Sequence, residues 1–363
     1  MRIALLGTRG IPARYGGFET FAEEISTRLA ARGHHLTVYC RQKQTFSEYR
    51  GVELRYLPTI RHKYFDTVAH TAVSTLEVLF RRFDVLLYCN AATAIFTLWP
   101  RLFGTPTALN VDGVERRRKK WNWLARSWYL SSEWLATWCC SAVVADAQTI
   151  REYYFSRFGK QSTFIPYGAE TGKVEGCEHV RALGLEPQGY VLYVSRMEPE
   201  NNALMVREAF ERVNTDLKLV LVGDAPYADA YIRKVKDTLD ARVIVPGAVY
   251  GEGYHQLQSH CALYVQATEV GGTHPALLEA MGRAAMVLYL DTPEAHEVAG
   301  DAAVPFASQD DLTRKLQWAL SLPPAGRTAW GRRALERIES RYSWEIVTDQ
   351  YEALLCGLVK SKS

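Results

Sequence analysis

Apolar and polar positions along this chain follow two periods that take turns. Residues 2–6 form a short apolar run, a strand. From Phe18 the apolar positions Phe18, Phe21, Ala22, Ile25 and Leu29 fall at i, i+3, i+4, i+7 and i+11, the single stripe of an amphipathic helix that Gly33 ends. Further β-branched and apolar runs at 36–40, 52–57, 85–88, 107–110 and 142–145 are separated by amphipathic segments. Strands that alternate with helices predict βα units and a parallel sheet.

After Ile165-Pro166-Tyr167-Gly168 the period lapses into the polar stretch AETGKVEGCEH, which reads as a linker. The alternation resumes with runs at 190–194, 218–222, 242–245, 262–265 and 286–290, so a second doubly wound domain is predicted. The expected division is 1–168, 169–342 and a closing segment, 343–363, whose helix over 344–358 would cross back to brace the first domain. Two such α/β domains on a short linker predict a central cleft facing the carboxyl ends of both sheets, where open α/β sheets bind ligands.

Length agrees with two cores, because 363 residues exceed what one ordinary core serves. Charge changes little: 43 Lys and Arg against 40 Asp and Glu leave +3, which does not announce a nucleic-acid binder. The seven cysteines form no CxxC pair and read as reduced core residues. No apolar run reaches the length of a membrane span, and the first residues lack a secretory h-region. A cytoplasmic location is expected.

The loop GTRGIPARYGG joins the first strand to the first helix, and its glycines arrange backbone donors beside a helix start. Uncapped N–H groups and the helix dipole favour a phosphate or carboxylate there, and Gly16 and Gly17 permit close approach. The spacing is neither GxGxxG nor GxxxxGK[ST], and an ordinary βα loop is the plain alternative. A second turn of this kind follows the run at 262–265: Glu269-Val270-Gly271-Gly272-Thr273-His274-Pro275 leads into a helix opening at Ala276, with Glu279 one turn in. That carboxylate could accept from a sugar diol or simply complement the helix dipole.

The segment GGTHPALLEAM, with Tyr193-Val194-Ser195-Arg196 before it, resembles the carboxyl-terminal domain of retaining GT-B glycosyltransferases of family 4. GTRGIPARYGGFET, NVDGVERRRKKW and MEPENN are similar to the bacterial subgroup that includes rhamnosyltransferases of surface-polysaccharide assembly. The resemblance spans essentially the whole chain. It implies two Rossmann-like domains, a nucleotide-sugar co-substrate (dTDP- or UDP-linked) with no other cofactor, and a glycan or lipid-linked acceptor. Rhamnose from dTDP-rhamnose, transferred with retention, is the leading reading. A sugar-nucleotide epimerase or hydrolase of the same fold, or a non-catalytic nucleotide-sugar binder, are the alternatives.

By position, the resemblance places Arg196 on the donor diphosphate, Glu279 on the ribose, and Gly272, Thr273, His274, Pro275 and Ala276 on the transferred sugar and phosphates. Gly16 and Gly17 would complete the diphosphate cradle from the other domain, and Val249 and Tyr250 stand where the base is held. Two positions depart from the family pattern: Gly271 replaces a glutamate and Asn201 a lysine that would face the phosphates, which leaves Arg196, helix termini and Arg9 or Arg14 to compensate.

Asp112, in a turn after the run at 107–110, is the candidate to orient or deprotonate the acceptor hydroxyl, with Arg14 and Glu19 also on the acceptor side. Arg196 and His274 join Asp112 as catalytic candidates. With no Asp-x-Asp pair, a metal-independent reaction is expected, the leaving-group charge falling to Arg196 and backbone dipoles.

Arg116, Arg117, Arg118, Lys119 and Lys120 precede a helix-like stretch bearing Trp121, Trp123, Trp128, Trp134 and Trp138. Basic residues attract anionic head groups and Trp prefers the membrane interface, so 116–138 is a candidate peripheral membrane contact. The alternative is a helix whose tryptophans fill the first core. No nucleic-acid-binding signature accompanies the stretch.

Overall fold

The computed structural model describes residues 1–13, 16–60, 62, 65–114, 116, 123–225 and 228–361. Contacts divide the chain into two compact units, residues 1–167 with 344–363, and residues 168–343. In the first, β1 (Arg2–Leu6), α1 (Gly17–Ala31), β2 (His35–Cys40), β3 (Glu48–Tyr49), β4 (Val52–Tyr56), α2 (Asp66–Leu79) and β5 (Val85–Cys89) come in turn. They are followed by α3 (Leu98–Leu102), β6 (Thr107–Asn110), α4 (Trp123–Cys139), β7 (Ala142–Ala145), α5 (Gln148–Phe158) and β8 (Thr163–Phe164).

The second unit runs through α6 (Glu178–Ala182), β9 (Tyr190–Val194), α7 (Ala203–Glu211), β10 (Lys218–Val222), α8 (Asp229–Lys236) and β11 (Val243–Gly247). It continues with α9 (Gly251–His260), β12 (Leu263–Gln266), α10 (Pro275–Gly282), β13 (Val287–Leu290), α11 (Pro293–Ala299), β14 (Val304–Phe306), α12 (Gln309–Ser321) and α13 (Pro324–Arg341). The last helix, α14 (Trp344–Lys360), belongs to the first unit.

The first sheet has the order β3-β4-β2-β1-β5-β6-β7-β8, parallel except for the β3–β4 pair. The second is fully parallel, β11-β10-β9-β12-β13-β14. Helices cover both faces of such sheets, so the central strands are mostly apolar and almost wholly buried. Every residue of β5 is buried, whereas β4, next to the edge, alternates buried Val52 and Leu54 with exposed Glu53 and Arg55. Strands of two or three residues (β3, β8, β14) are too short to carry a period and escape prediction. β11 sits at the edge, where Pro246 removes no ladder bond that the sheet needs.

α14 buries Trp344, Val347, Tyr351 and Leu355. The Tyr351 ring lies tilted against Phe21 of α1, their centroids 5.1 Å apart, and Arg32 at the end of α1 bonds Asp349 (2.6 Å), Glu352 (2.8 Å) and Glu345 (2.8 Å). The polar stretch read as a linker is tied down within the second unit: Gly172 N–H donates to Gly282 O (2.9 Å), Arg283 Nη1 to Gly172 O (2.7 Å) and Val174 N–H to Ser259 Oγ (3.1 Å). Its lack of apolar period reflects pinning by backbone bonds.

Residues 117–122, including Trp121, lie outside the described residues. Of the other tryptophans in that stretch, Trp123, Trp128, Trp134 and Trp138 are 72%, 42%, 52% and 68% exposed. They do not fill the core. α4 packs inward through Tyr129, Ser132, Glu133, Ala136 and Cys139.

Candidate functional site

In a doubly wound sheet the ligand crevice lies beyond the carboxyl ends of the two strands where the order reverses. Those strands are β1 and β5 in the first unit and β9 and β12 in the second. The sequence candidates of the second unit leave from β9 and β12 themselves: Arg196 and Asn201 follow β9, and residues 271–276 follow β12.

Arg196 stands at the first of these strand ends. Its side chain is 41% exposed, and its guanidinium lies 3.9 Å from the Glu198 carboxylate, loose enough to turn to an incoming anion. Gly223 makes the backbone path possible: at φ +148° it presses on the Ser195 carbonyl so closely that a Cβ would stand 1.7 Å from that oxygen. Asn201 is 3% exposed and donates from Nδ2 to Arg196 O (2.6 Å), while its own carbonyl accepts from Tyr193 Oη. The amide that replaces the family's lysine is thus spent on shaping the Arg196 turn. Asn202, in the left-handed region, joins the two loops through bonds to Ala267 O (3.0 Å) and Glu269 Oε1 (3.1 Å).

On the β12 side, Gly272, Thr273 and His274 are buried, Pro275 and Ala276 half-buried. His274 opens α10 by accepting from Leu277 and Leu278 N–H (3.0 and 3.1 Å). A Cβ at Gly271 would meet the His274 ring at 2.9 Å, so glycine in place of the family's glutamate leaves the imidazole room to lie over the loop. Glu279, one turn into α10, accepts from Tyr254 Oη of α9. Gln258, one turn further along α9 and fully buried, donates from Nε2 to the same phenol oxygen (2.8 Å). Burial first, then the charge of Glu279, push the Tyr254 phenol well above its ordinary pKa, so it stays a donor. Neither Tyr254 nor Gln258 was visible in the sequence, since an i, i+4 polar pair on a helix announces no target. Val249, half-buried, and Tyr250, 57% exposed, immediately precede α9.

In the first unit, part of the expected donor set is already used. Glu19 is 6% exposed and accepts from Arg9 N–H (3.0 Å), Glu23 accepts from Ala13 N–H (2.6 Å) and Thr8 Oγ1 from Gly10 N–H (3.1 Å). Carboxylates of α1 hold the loop, and burial raises the Glu19 pKa. What remains for an anion is the start of α1, capped by exposed Gly16 with no side-chain bond and entered at Gly17. Arg9 is exposed; Arg14 lies outside the described residues.

Asp112 follows β6 in the left-handed region (φ +57°), its N–H donating to Asn110 Oδ1 (3.0 Å). Buried Asn110 donates in turn to Tyr351 Oη of α14 (2.9 Å), so the last helix fixes the turn that carries Asp112. Beside β1 and β2, Arg41 bonds Asp66 (2.9 Å), Thr67 (3.1 Å) and Gly7 O (3.3 Å). Fully buried His70 stands in reach of that guanidinium's charge and is pushed down to about 4 by burial and then by Arg41.

Two doubly wound units of this kind, each with its candidate residues at the carboxyl ends of parallel strands, define the GT-B class. A glycosyltransferase family 4 model matches residues 15–173, and a model for glycosyl transferases group 1 matches residues 188–321. The chain belongs to the GT-B glycosyltransferases of family 4. It is 28% identical over 115 residues, 31% of each chain, to an N-acetylgalactosamine-N,N'-diacetylbacillosaminyl-diphospho-undecaprenol 4-alpha-N-acetylgalactosaminyltransferase of Campylobacter jejuni. It is 25% identical over 233 residues, 58% of this chain, to a lipopolysaccharide 1,2-N-acetylglucosaminetransferase of Salmonella typhimurium, of which the match spans 60%. The chain therefore covers less than two thirds of either curated relative. Similar solved structures include sucrose-phosphate synthase from Thermosynechococcus elongatus (TM-score 0.81, 17% identity, 99% of both chains) and HepE of Anabaena in complex with UDP-glucose (TM-score 0.81, 15% identity, 98% of this chain and 100% of that one). No helix among the described residues is long and apolar enough to cross a membrane.

Proposed function

We propose that this chain transfers a sugar from a nucleotide diphosphate donor to a hydroxyl of a lipid-linked glycan, with retention at the anomeric carbon. The observation that carries the reading is the grouping at the β9/β12 strand ends of half-exposed Arg196, the start of α10 and a tyrosine-held Glu279. A guanidinium and a helix N-terminus suit a diphosphate, whose charge rises as the sugar–phosphate bond breaks. Glu279, oriented by Tyr254, is a carboxylate with lone pairs enough to accept from a ribose diol as well, and Val249 and Tyr250 flank the base. Thr273 and His274 face the transferred sugar, and in the first unit the start of α1 at Gly16 and Gly17 offers backbone donors to an anion. Asp112 orients or deprotonates the acceptor hydroxyl, and Glu19 keeps the loop that carries Arg9 in shape on the acceptor side.

The lipid-linked acceptor is read from the names of the Campylobacter and Salmonella relatives, and 116–138 is read as the peripheral membrane contact that such an acceptor needs. The sequence resemblance points to dTDP-rhamnose, the HepE complex to a uridine nucleotide, and the relatives' names to N-acetylated hexosamines.

A thermal-shift panel of dTDP-rhamnose, UDP-glucose, UDP-N-acetylglucosamine and UDP-N-acetylgalactosamine ranks them, because a ligand bound by the native state raises its transition temperature. The transferase reading requires product sugar on an added acceptor. Free sugar or an epimer would make the chain a hydrolase or epimerase, and binding without turnover a non-catalytic partner.

A further inference from the structure

Among the described residues, the first unit presents an exposed aromatic face. On α4 the outward stripe is Trp123, Leu124, Trp128, Leu130, Trp134 and Trp138, every one exposed. A helix on the surface of a globular unit ordinarily carries polar residues there. α3 lies against the end of α4, since Arg101 donates to the Trp138 and Cys140 carbonyls (2.6 and 3.4 Å), and it adds Trp99, Leu102 and Phe103, exposed by 53%, 68% and 74%. α2 packs beside α3 and contributes Leu76 and Phe80, the latter 89% exposed. Three helices that share no motif thus build one patch, far larger than singly scattered surface apolar residues.

The free charge on this patch is cationic. Arg82, Arg101 and Arg126 are exposed on it, whereas the acids of α2 are already paired, Asp66 with Arg41 (2.9 Å) and Glu77 with Arg55 (2.7 Å). The single acid of α3 and α4 is Glu133, which is buried and already bonded to Arg116 Nε (3.2 Å) and Tyr153 Oη (2.5 Å). A second copy placed on the patch would oppose like charges. An anionic lipid surface complements both features, because cationic side chains meet the head groups while Trp rings occupy the interface.

We propose that α2, α3 and α4 together form the surface that seats the first unit on an anionic phospholipid bilayer. This deepens the membrane contact read at 116–138 and rests on it in part, but it adds α3 and the end of α2, which no sequence signal marked.

The test is co-sedimentation of the full chain with vesicles of phosphatidylcholine alone and with about 30 mol% phosphatidylglycerol, at about 0.15 M salt. Binding is expected with the anionic lipid, and binding roughly tenfold weaker or more without it. Trp99→Ser with Phe103→Ser, both outside 116–138 and both exposed, should weaken vesicle binding about fivefold or more while nucleotide-sugar affinity stays unchanged. Arg126→Glu should weaken binding to the anionic vesicles alone. Vesicle binding unaffected by the α3 pair overturns the proposal, as does absence of binding to anionic vesicles. Self-association that the α3 pair abolishes, with no vesicle binding, makes the patch a contact between copies instead. A chain that binds vesicles but no nucleotide sugar overturns the transferase reading and leaves this surface standing.

Discussion

Tyr254→Phe tests whether the Glu279 carboxylate is held in place or merely present. The phenol donates to Glu279 Oε2 and accepts from Gln258 Nε2 at 2.8 Å, and Gln258 is fully buried with its own Oε1 unpartnered. Removing the hydroxyl deletes a bond to a charged group, worth roughly 1.5 to 3 kcal/mol, and leaves the Gln258 amide without an acceptor at a cost of about 1 to 3 kcal/mol. Allowing for relaxation, the second unit should lose ~2 to 3 kcal/mol, and its thermal transition should fall by roughly 5 to 10 °C. The effect on binding is smaller and separate. A carboxylate that has lost the tyrosine's anchor is less tightly oriented and must be ordered in part by the donor, at most about 0.5 to 1.5 kcal/mol, or roughly two- to tenfold in donor affinity.

Adding Gln258→Leu removes the orphaned amide as well, so the double variant should regain much of the stability and none of the affinity. Calorimetric titration with the best donor from the panel, alongside scanning calorimetry, reads the two quantities apart. If Glu279→Gln abolishes donor binding while Tyr254→Phe leaves it unchanged, the carboxylate does not depend on its tyrosine and the positioning argument fails. If Tyr254→Phe leaves the transition temperature unmoved, the bond itself carries no energy.

Asp112→Asn should lower kcat about a hundredfold with donor affinity unchanged, and unaltered turnover with a defined acceptor would remove Asp112 from the reaction. Gly223→Ala should cost more than about 3 kcal/mol and weaken donor binding with it, because the new Cβ would stand 1.7 Å from the Ser195 carbonyl and displace the turn carrying Arg196; a stable variant with normal affinity contradicts that. His70 is fully buried with its pKa lowered to about 4, so between that value and its ordinary 6.5 the unfolded chain binds more protons than the folded one. Stability from this group is complete above about pH 6.5 and is lost progressively as pH falls to about 4, by roughly 3 kcal/mol at most. His70→Asn should flatten the denaturation midpoint across that window, and an unchanged slope would show that other groups set it.

The alternation of periods made the two doubly wound sheets legible, because a parallel strand buried on both faces is an uninterrupted apolar run. The strands at 107–110, 142–145, 190–194 and 218–222 stand where that pattern puts them. What the pattern could not reach is whatever depends on a partner distant in sequence. Asn110 reads as the end of a strand, and its bond to Tyr351 appears only once α14 lies against the first sheet. The loop after β1 reads as free donors beside a helix, yet Glu19 and Glu23 curl back from α1 to take the Arg9 and Ala13 amides. Asn201 marks a missing cation in the sequence, and only its bond to the Arg196 carbonyl reveals what the amide does instead.

The two departures from the family pattern acquire a common physical sense at the β9/β12 strand ends. A lysine at 201 would bring charge but would forfeit the amide that closes the Arg196 turn, and a glutamate at 271 would collide with the His274 ring. At this point the second unit fixes its backbone by hydrogen bonds: Asn201 to Arg196 O, Asn202 to Ala267 O and Glu269, Tyr193 to Asn201 O. Recognition of a diphosphate there would depend on one well-placed guanidinium and oriented dipoles. Restoring Asn201→Lys alone should therefore weaken donor binding, because the turn loosens before the new charge can help. Tighter binding in that single variant would show that charge, and not the set of the turn, limits the site.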